Sequence, residues 1–183
     1  MSRRKTRARG MWEIVKVGGT YSDGSPVVTD AVTVAALDIQ ARRLGYSLTI
    51  VQGSYHAGVS QSAGTHDKGR CVDLAPFDAE HKEHAGRAVG FASYHRTPAQ
   101  GNWSEHVHQG LLIAGVADTD HTADLLAQQL KGYRMDPPRN GLGPFPFGED
   151  HGWHPTPRVE FDWDAYKAGR YDDKGRLHDE VVA

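Results

Sequence analysis

The segment SAGTHDKGRCVDL, at positions 62–74, places a histidine and an aspartate seven residues apart. His66 lies in a run rich in glycine and small residues, and Asp73 lies in an alternating stretch that predicts a strand over 70–74. Two interpretations are open from these residues alone. Either His66 belongs to a surface loop and Asp73 caps a neighbouring element, or both side chains point inward and hold a metal ion.

A second segment, NWSEHVHQGLL, contains two histidines that are two residues apart. It predicts a strand over 105–113, on which His106 and His108 share one face. Two adjacent histidines on one face form a partial metal site, which His66 and Asp73 can complete. Three protein ligands with an open water position are the pattern of catalytic zinc, whereas structural zinc sites usually close with four ligands, often cysteines.

Histidine and cysteine usage adds to this pattern. The chain of 183 residues contains 11 histidines and a single cysteine. Histidine is the commonest metal ligand, so its abundance agrees with a metal site without locating it. Cys71 has no second cysteine with which to form an internal disulfide, and its alternating surroundings predict a small buried residue rather than a reactive thiol.

Patterns outside these two segments predict the rest of the fold. A threonine–aspartate pair can cap a helix over 30–44, which a glycine then ends, and a β-branched stretch predicts a strand over 47–52. Two further helices are predicted over 79–93 and 121–131. Together these elements predict one α+β domain, in which a small, mainly antiparallel sheet carries the site and the first two helices pack on it.

Charge and hydropathy exclude several classes of partner. The net charge of −2 gives no electrostatic reason to expect a nucleic-acid partner, which would favour a basic surface. No apolar run approaches the ~20 residues of a membrane span, so we expect no membrane association. The stretch MWEIVKVGG near the N-terminus is charged and too short for a signal-peptide core, so we expect synthesis in the cytoplasm without a signal peptide.

The segments QGSYHAGVSQSAGTHDKGRCVDL and GFASYHRTPAQGNWSEHVHQGLL resemble phage and actinobacterial members of the D-Ala-D-Ala carboxypeptidase-like zinc peptidases. That group shares its zinc signature with lysostaphin-type endopeptidases and the Hedgehog signalling domain. The resemblance covers roughly residues 29–115. It implies zinc ligands at His66, Asp73 and His108, and a catalytic or transition-state-stabilising role for His106.

Two departures from the family pattern leave roles open. Many members have an arginine shortly after the first strand that steadies the substrate carbonyl; here Gln52, Tyr55 or His56 would bind substrate instead, or the role is missing. Members that cleave free D-Ala-D-Ala often place a glutamate three residues before the last ligand, a spacing that Glu105 has. On a regular strand Glu105 faces away from the metal, which favours His106 as the proton carrier and keeps Glu105 as the alternative.

The resemblance and the composition divide the chain into three parts. Residues 1–10 are predicted to form a basic disordered arm and residues 11–133 the zinc peptidase domain. Residues 134–183 are predicted to be a strap rich in proline, glycine and aromatic residues and then a charged, mobile tail, both belonging to the same domain. The strap, over 134–158, is expected to wrap the outside of the core.

These expectations combine into a zinc-dependent peptidoglycan peptidase, a carboxypeptidase or endopeptidase that cuts a D-amino-acid-containing peptide bond. Its cofactor is predicted to be Zn²⁺, its partners stem or cross-bridge peptides of the bacterial cell wall, and its state monomeric. It would reach the wall as a phage endolysin released through a holin, or as a lysin carried in a virion. The alternative is a non-enzymatic, metal-stabilised binding domain or a virion structural domain, in which a protein side chain fills the fourth zinc position.

Overall fold

A computed structural model describes residues 10–57, 64–100, 102–131, 133–134, 145–146 and 157–178. Residues 1–9 of the predicted basic arm lie outside the described residues, and so does most of the predicted strap. Among the described helices, none is both long and apolar enough to cross a membrane.

The described residues form an α+β fold with three small antiparallel sheets and four α-helices, which confirms the predicted class. In chain order the elements are β1 (Ile14–Thr20), β2 (Pro26–Asp30), α1 (Ala31–Leu44), β3 (Ile50–Gln52), β4 (Cys71–Leu74), α2 (Ala79–Val89), β5 (Phe91–Arg96), a 3-10 turn (Pro98–Gln100), β6 (His106–Leu111), α3 (Asp120–Lys131), β7 (Tyr133–Arg134), β8 (Phe145–Pro146) and α4 (Trp163–Lys167).

The four-stranded sheet, in the order β3-β4-β6-β5, brings the two histidine-containing segments together. Each neighbouring pair of its strands is antiparallel. In the register of β4 and β6, Asp73 lies directly opposite His108, and Cys71 lies opposite Gly110. Because side chains alternate along a strand, these residues and His106 share one face of the sheet.

The opposite face of this sheet carries the main hydrophobic core. Val72, Leu74 and Val107 point to that side and are fully buried together with apolar residues of α1 and α2. The face that holds the histidines is covered in part by α3. A Cβ atom on Gly110 would lie 2.9 Å from Leu125 Cδ1, so the close approach of α3 to β6 depends on a glycine at this position.

Helix α1 begins and ends where the sequence predicted. The fully buried Asp30 is its N-cap, and Asp30 Oδ1 accepts a hydrogen bond from the Thr33 N–H at 2.9 Å. Asp30 Oδ2 accepts a second one from the Arg70 N–H at 2.8 Å, which ties the start of α1 to the residue before β4. Gly45, at a φ of 77°, ends the helix in the left-handed conformation that glycine tolerates.

The prediction of a helix over 79–93 is wrong at its C-terminal end. Helix α2 ends at Val89, and Gly90 takes a φ of 122° that a residue with a side chain rarely adopts. The chain then continues as β5, which pairs with β6 along its whole length. The helical pattern of the sequence continues across Gly90, but pairing with a buried strand determines the conformation of the residues that follow.

The remaining differences between predicted and observed elements are small, except for one missed hairpin. Strands β3, β4 and β6 are shorter than the predicted 47–52, 70–74 and 105–113, and α3 begins one residue before the predicted start. Strands β1 and β2 pair in an antiparallel hairpin that the sequence analysis did not predict. Two consecutive glycines near the end of β1 weaken its strand pattern, because glycine disfavours a strand interior.

The C-terminal segment joins the core through Phe161, which is fully buried. Its backbone N–H donates a hydrogen bond to the Leu112 carbonyl at 2.9 Å. Helix α4 follows directly, and its Trp163 and Ala165 are buried. The mobile tail expected from residue 165 onward is therefore not what the structure shows over 165–178, because apolar side chains interspersed among the charges are drawn into the core.

Replacing Asp30 with alanine should lower the free energy of unfolding by about 2–4 kcal/mol, because both an N-cap and the acceptor for a buried N–H are lost. Urea unfolding of the metal-free protein measures this change. Asp164→Ala is the control: Asp164 is 86 % exposed and paired with Lys167, so its removal should cost about 1 kcal/mol or less. Equal losses for the two variants would contradict the role of Asp30.

Candidate metal centre

Five buried side chains meet on one face of the central sheet, and we refer to them as the metal cluster: His66, Cys71, Asp73, His106 and His108. His66 lies in the turn before β4, and the others lie on β4 and β6. Two sets of three have ligand atoms within 4.8 Å of one another: His66 with Cys71 and His108, and Asp73 with His106 and His108. The metal cluster could therefore hold a metal ion.

Asp73 lies between the histidines of the metal cluster. Its Oδ1 is 2.6 Å from His108 Nδ1 and 3.7 Å from His106 Nε2, and its Oδ2 is 3.3 Å from His66 Nε2. The three residues predicted to be ligands are thus brought together, with the carboxylate bridging the two imidazoles. His106 joins them from the same face of β6, as strand alternation predicted.

Three histidines of the metal cluster share one hydrogen-bonding pattern, in which Nδ1 faces an oxygen. His66 Nδ1 lies 2.8 Å from the Gly53 carbonyl, His106 Nδ1 lies 2.6 Å from the Ser104 carbonyl, and His108 Nδ1 faces Asp73. A carbonyl can only accept, so we assign the Nδ1–H tautomer to His66 and His106, and by the same pattern to His108. When these rings are neutral, each Nε2 carries the lone pair, the arrangement in which outer oxygens orient metal-ligating histidines.

Cys71 also belongs to the metal cluster, although it was not predicted to be a ligand. Its Sγ lies 3.7 Å from His66 Nε2 and 3.6 Å from His108 Nε2. The prediction that Cys71 is buried agrees with the structure, but the sulfur faces the imidazoles rather than the apolar core. The signal was available, because Cys71 precedes Asp73 by two residues on one strand and must share its face.

His121 is a further residue at the metal cluster, and no sequence pattern indicated it. It lies in the first turn of α3, and its Nε2 is 2.9 Å from His108 Nε2. Its position depends on how closely α3 packs on β6, which is a tertiary contact. In the Nδ1–H tautomer assigned to His108, this contact is a hydrogen bond from His121 Nε2–H to His108 Nε2.

Three of the separations between donor atoms fit a tetrahedral ion with bond lengths like those of zinc. Bonds of 2.0–2.1 Å to nitrogen or oxygen place two such donors about 3.3 Å apart, and a bond of 2.3 Å to sulfur gives about 3.5–3.6 Å between sulfur and nitrogen. The observed separations are 3.3 Å from Asp73 Oδ2 to His66 Nε2, and 3.6 and 3.7 Å from Cys71 Sγ to the two imidazoles. The 2.6 Å contact between Asp73 and His108 is instead a hydrogen bond, so Oδ1 orients His108 while Oδ2 faces the ligand position.

Burial and neighbouring charges shift the pKa values of Asp73 and His66 in opposite directions. Burial raises the pKa of Asp73, but His66 and His108 lower it more, and the net pKa lies well below its ordinary value. Burial lowers the pKa of His66, but Cys71 and Asp73 raise it more, and the net pKa lies well above its ordinary value. A proton and a metal ion would therefore compete for Nε2 of His66.

The pKa values of His106 and His108 are lowered, in contrast to that of His66. Burial lowers the pKa of both, and the positive charge of Arg96 contributes to the lowering. Arg96 lies opposite His106 on β5 and stacks on the Trp103 ring at 4.8 Å. Both imidazoles are therefore held neutral near neutral pH, as ligation and proton acceptance require.

Metal affinity should rise by at least about tenfold per pH unit below the folded-state pKa of His66, because the proton on Nε2 must leave before metal binds. Asp73 adds nothing to this slope near neutral pH, since its lowered pKa keeps it ionised there. Competition with a coloured chelator at about pH 6 and about pH 7 measures the slope. His81→Ala, which removes an exposed imidazole bonded to Asp78, should leave it unchanged. Equal affinity at both pH values in the unmodified protein would contradict the competition.

Glu105 lies on the other side of the sheet from the metal cluster. Its Oε1 accepts a hydrogen bond from His95 Nε2 at 2.8 Å, and the side chain is 48 % exposed. His95 is the β5 partner of Val107, whose side chain points into the core. The orientation of Glu105 away from His108 agrees with the strand argument.

The three residues predicted to bind substrate occupy different surroundings. Gln52 lies opposite Asp73 on β3, beside the metal cluster. The Tyr55 hydroxyl packs over Gly69 together with the Asp30 carboxylate. The His56 ring stacks on Tyr21 with 3.8 Å between centroids, and the His56 backbone N–H donates to the His66 carbonyl at 3.1 Å.

No family model matches the chain, and comparisons with curated proteins and with solved structures likewise find no match. The functional interpretation consequently depends on the geometry of the metal cluster and on the sequence motifs that form it.

Proposed function

We propose that the chain is a zinc-dependent peptidase that hydrolyses a D-amino-acid-containing peptide bond of the bacterial cell wall. The observation that carries the proposal is the metal cluster itself: buried nitrogen, oxygen and sulfur donors at separations that suit zinc, beside an imidazole that is not needed as a ligand. The resemblance of the two segments to D-Ala-D-Ala carboxypeptidase-like enzymes supports the choice of substrate.

In this proposal His66, Asp73 and His108 hold the zinc ion. Bound zinc would lower the pKa of a coordinated water towards 7 and polarise the substrate carbonyl. The carbonyl of Gly53 orients His66, and Asp73 Oδ1 orients His108, so both Nε2 lone pairs are fixed before the ion arrives.

His106 is proposed to transfer the proton. Its Nδ1–H is held by the Ser104 carbonyl, and its buried Nε2 has no hydrogen-bond partner among the residues that the structure describes. Burial lowers its pKa, so the ring is neutral and can accept a proton from the attacking water at Nε2. The same nitrogen can then deliver that proton to the leaving amine.

Gln52 and Arg96 are proposed to bind the substrate on either side of this centre. Gln52 lies opposite Asp73 on β3, and Arg96 lies opposite His106 on β5. A guanidinium group so close to the histidines can stabilise the negative charge that develops on the carbonyl oxygen. Arg96 would thus take the role that the family pattern gives to an arginine shortly after the first strand. The enzyme would act outside the cell in which it is made, after release through a holin or from a virion.

A second candidate function is a metal-stabilised binding or virion structural domain without catalysis. Cys71 is the observation that favours it, because a sulfur donor beside two histidines and an aspartate supplies the four protein ligands typical of structural zinc. In that case the metal would stabilise the fold and no bond would be cut.

Digestion of purified peptidoglycan by the zinc-loaded protein, with and without a chelator, distinguishes the two functions. The proposal expects new amino and carboxyl termini at a D-amino-acid bond, identified by mass spectrometry, and their loss when the chelator is present. Zinc that raises the melting temperature without producing new termini would favour the binding domain and contradict the peptidase.

His106→Ala should retain zinc while the rate of hydrolysis falls by about 10²–10⁴-fold, the usual effect of losing a positioned acid–base group. Glu105→Ala is the matched control and should lose much less activity, because its carboxylate bonds to His95 on the other side of the sheet. Elemental analysis and turnover on cell-wall fragments give the two readouts. A larger loss for Glu105→Ala, with zinc retained in both variants, would assign the base to Glu105.

A further inference from the structure

We propose that the Cys71 thiolate is the fourth protein ligand of the metal, so that the resting site is closed by sulfur. This inference rests on the metal site of the proposed function, to which it adds a ligand. The sequence signature implies only nitrogen and oxygen ligands, and the sulfur changes both the charge of the site and the ions that it prefers.

The geometry around Cys71 Sγ is that of a ligand rather than of a packing side chain. The sulfur lies 3.7 Å from His66 Nε2 and 3.6 Å from His108 Nε2, nearly equidistant from the two nitrogens. One S–H group can donate to only one of these nitrogens at a time. A metal ion between the three atoms satisfies them all at once.

The backbone holds this sulfur in place. Strand β4 lies between β3 and β6, so it is bonded on both sides. The Ser54 hydroxyl also bridges the backbone of Cys71, accepting from its N–H at 3.2 Å and donating to its carbonyl at 2.7 Å. A sulfur atom fixed in this way needs no rearrangement to bind an ion between itself and the two imidazoles.

The thiolate has two chemical consequences. When the metal binds, the thiol proton leaves to solvent, and the metal cluster then carries two negative donors, the sulfur and the Asp73 carboxylate. Sulfur favours zinc, cobalt and cadmium over magnesium or manganese, which prefer oxygen. In the proposed peptidase, the position for water opens only when one of the four protein ligands leaves.

Cobalt substitution of the full chain tests this inference directly. Cys71 is the only cysteine in the sequence, so any thiolate-to-cobalt charge-transfer band in the near ultraviolet belongs to it. We expect the band in the cobalt-loaded protein and its loss in Cys71→Ser and Cys71→Ala. The control His121→Ala should retain the band, because it removes the neighbouring nitrogen and leaves the sulfur.

Zinc affinity provides the second readout. Cys71→Ser should bind zinc more than about 100-fold more weakly, since removing only an outer-shell partner already costs 10–100-fold. Absence of the band from the cobalt-loaded unmodified protein would overturn the inference even if both variants fail to fold, and so would unchanged zinc affinity in a folded variant. A band without hydrolysis of cell-wall fragments would contradict the peptidase and leave the sulfur ligand standing.

Discussion

The pairing of Asp73 with His108 across β4 and β6 is the contact on which the rest of the site depends. The antiparallel register places the two residues opposite each other, and the 2.6 Å hydrogen bond fixes the ring of His108. Once this register is set, alternation places Cys71 and His106 on the same face. A register shift of one residue would turn the side chains of β4 or β6 to the opposite face of the sheet and separate the donors.

The buried charge of Asp73 explains why the metal cluster is not simply a polar part of the core. An isolated buried carboxylate is costly, and in this fold His66 and His108 compensate it. In the absence of metal, a proton on His66 supplies the balancing charge, as the raised pKa of that ring indicates. A divalent ion at the proposed site would supply more charge, so folding and metal binding would be coupled through one carboxylate.

The sequence was informative wherever periodicity or capping determined the structure. The cap and the end of α1, the strand that carries His106 and His108, and the opposite orientation of Glu105 all follow from local patterns. The histidine–aspartate spacing also led to residues that do come together in the fold. Whether those residues bind zinc and cut a peptide bond stays a prediction.

The parts that could not be predicted depend on contacts between distant segments. Gly90 interrupts a pattern that otherwise continues as a helix, and pairing with β6 determines that β5 follows. His121 reaches the metal cluster because α3 packs on β6, where Gly110 leaves room for the side chain of Leu125. The directions of Tyr55 and His56 likewise depend on Gly69 and Tyr21, which no local pattern links to them.

The two hydrogen bonds of Asp30 have a consequence for how an ion would be received. One carboxylate holds both the first turn of α1 and the N–H of Arg70, where the turn that carries His66 enters β4. That end of the turn is therefore immobilised when the core forms, and its conformational entropy is lost in folding rather than in binding. If the proposed metal binds, its selectivity among ions would then follow from the identity and spacing of the donors.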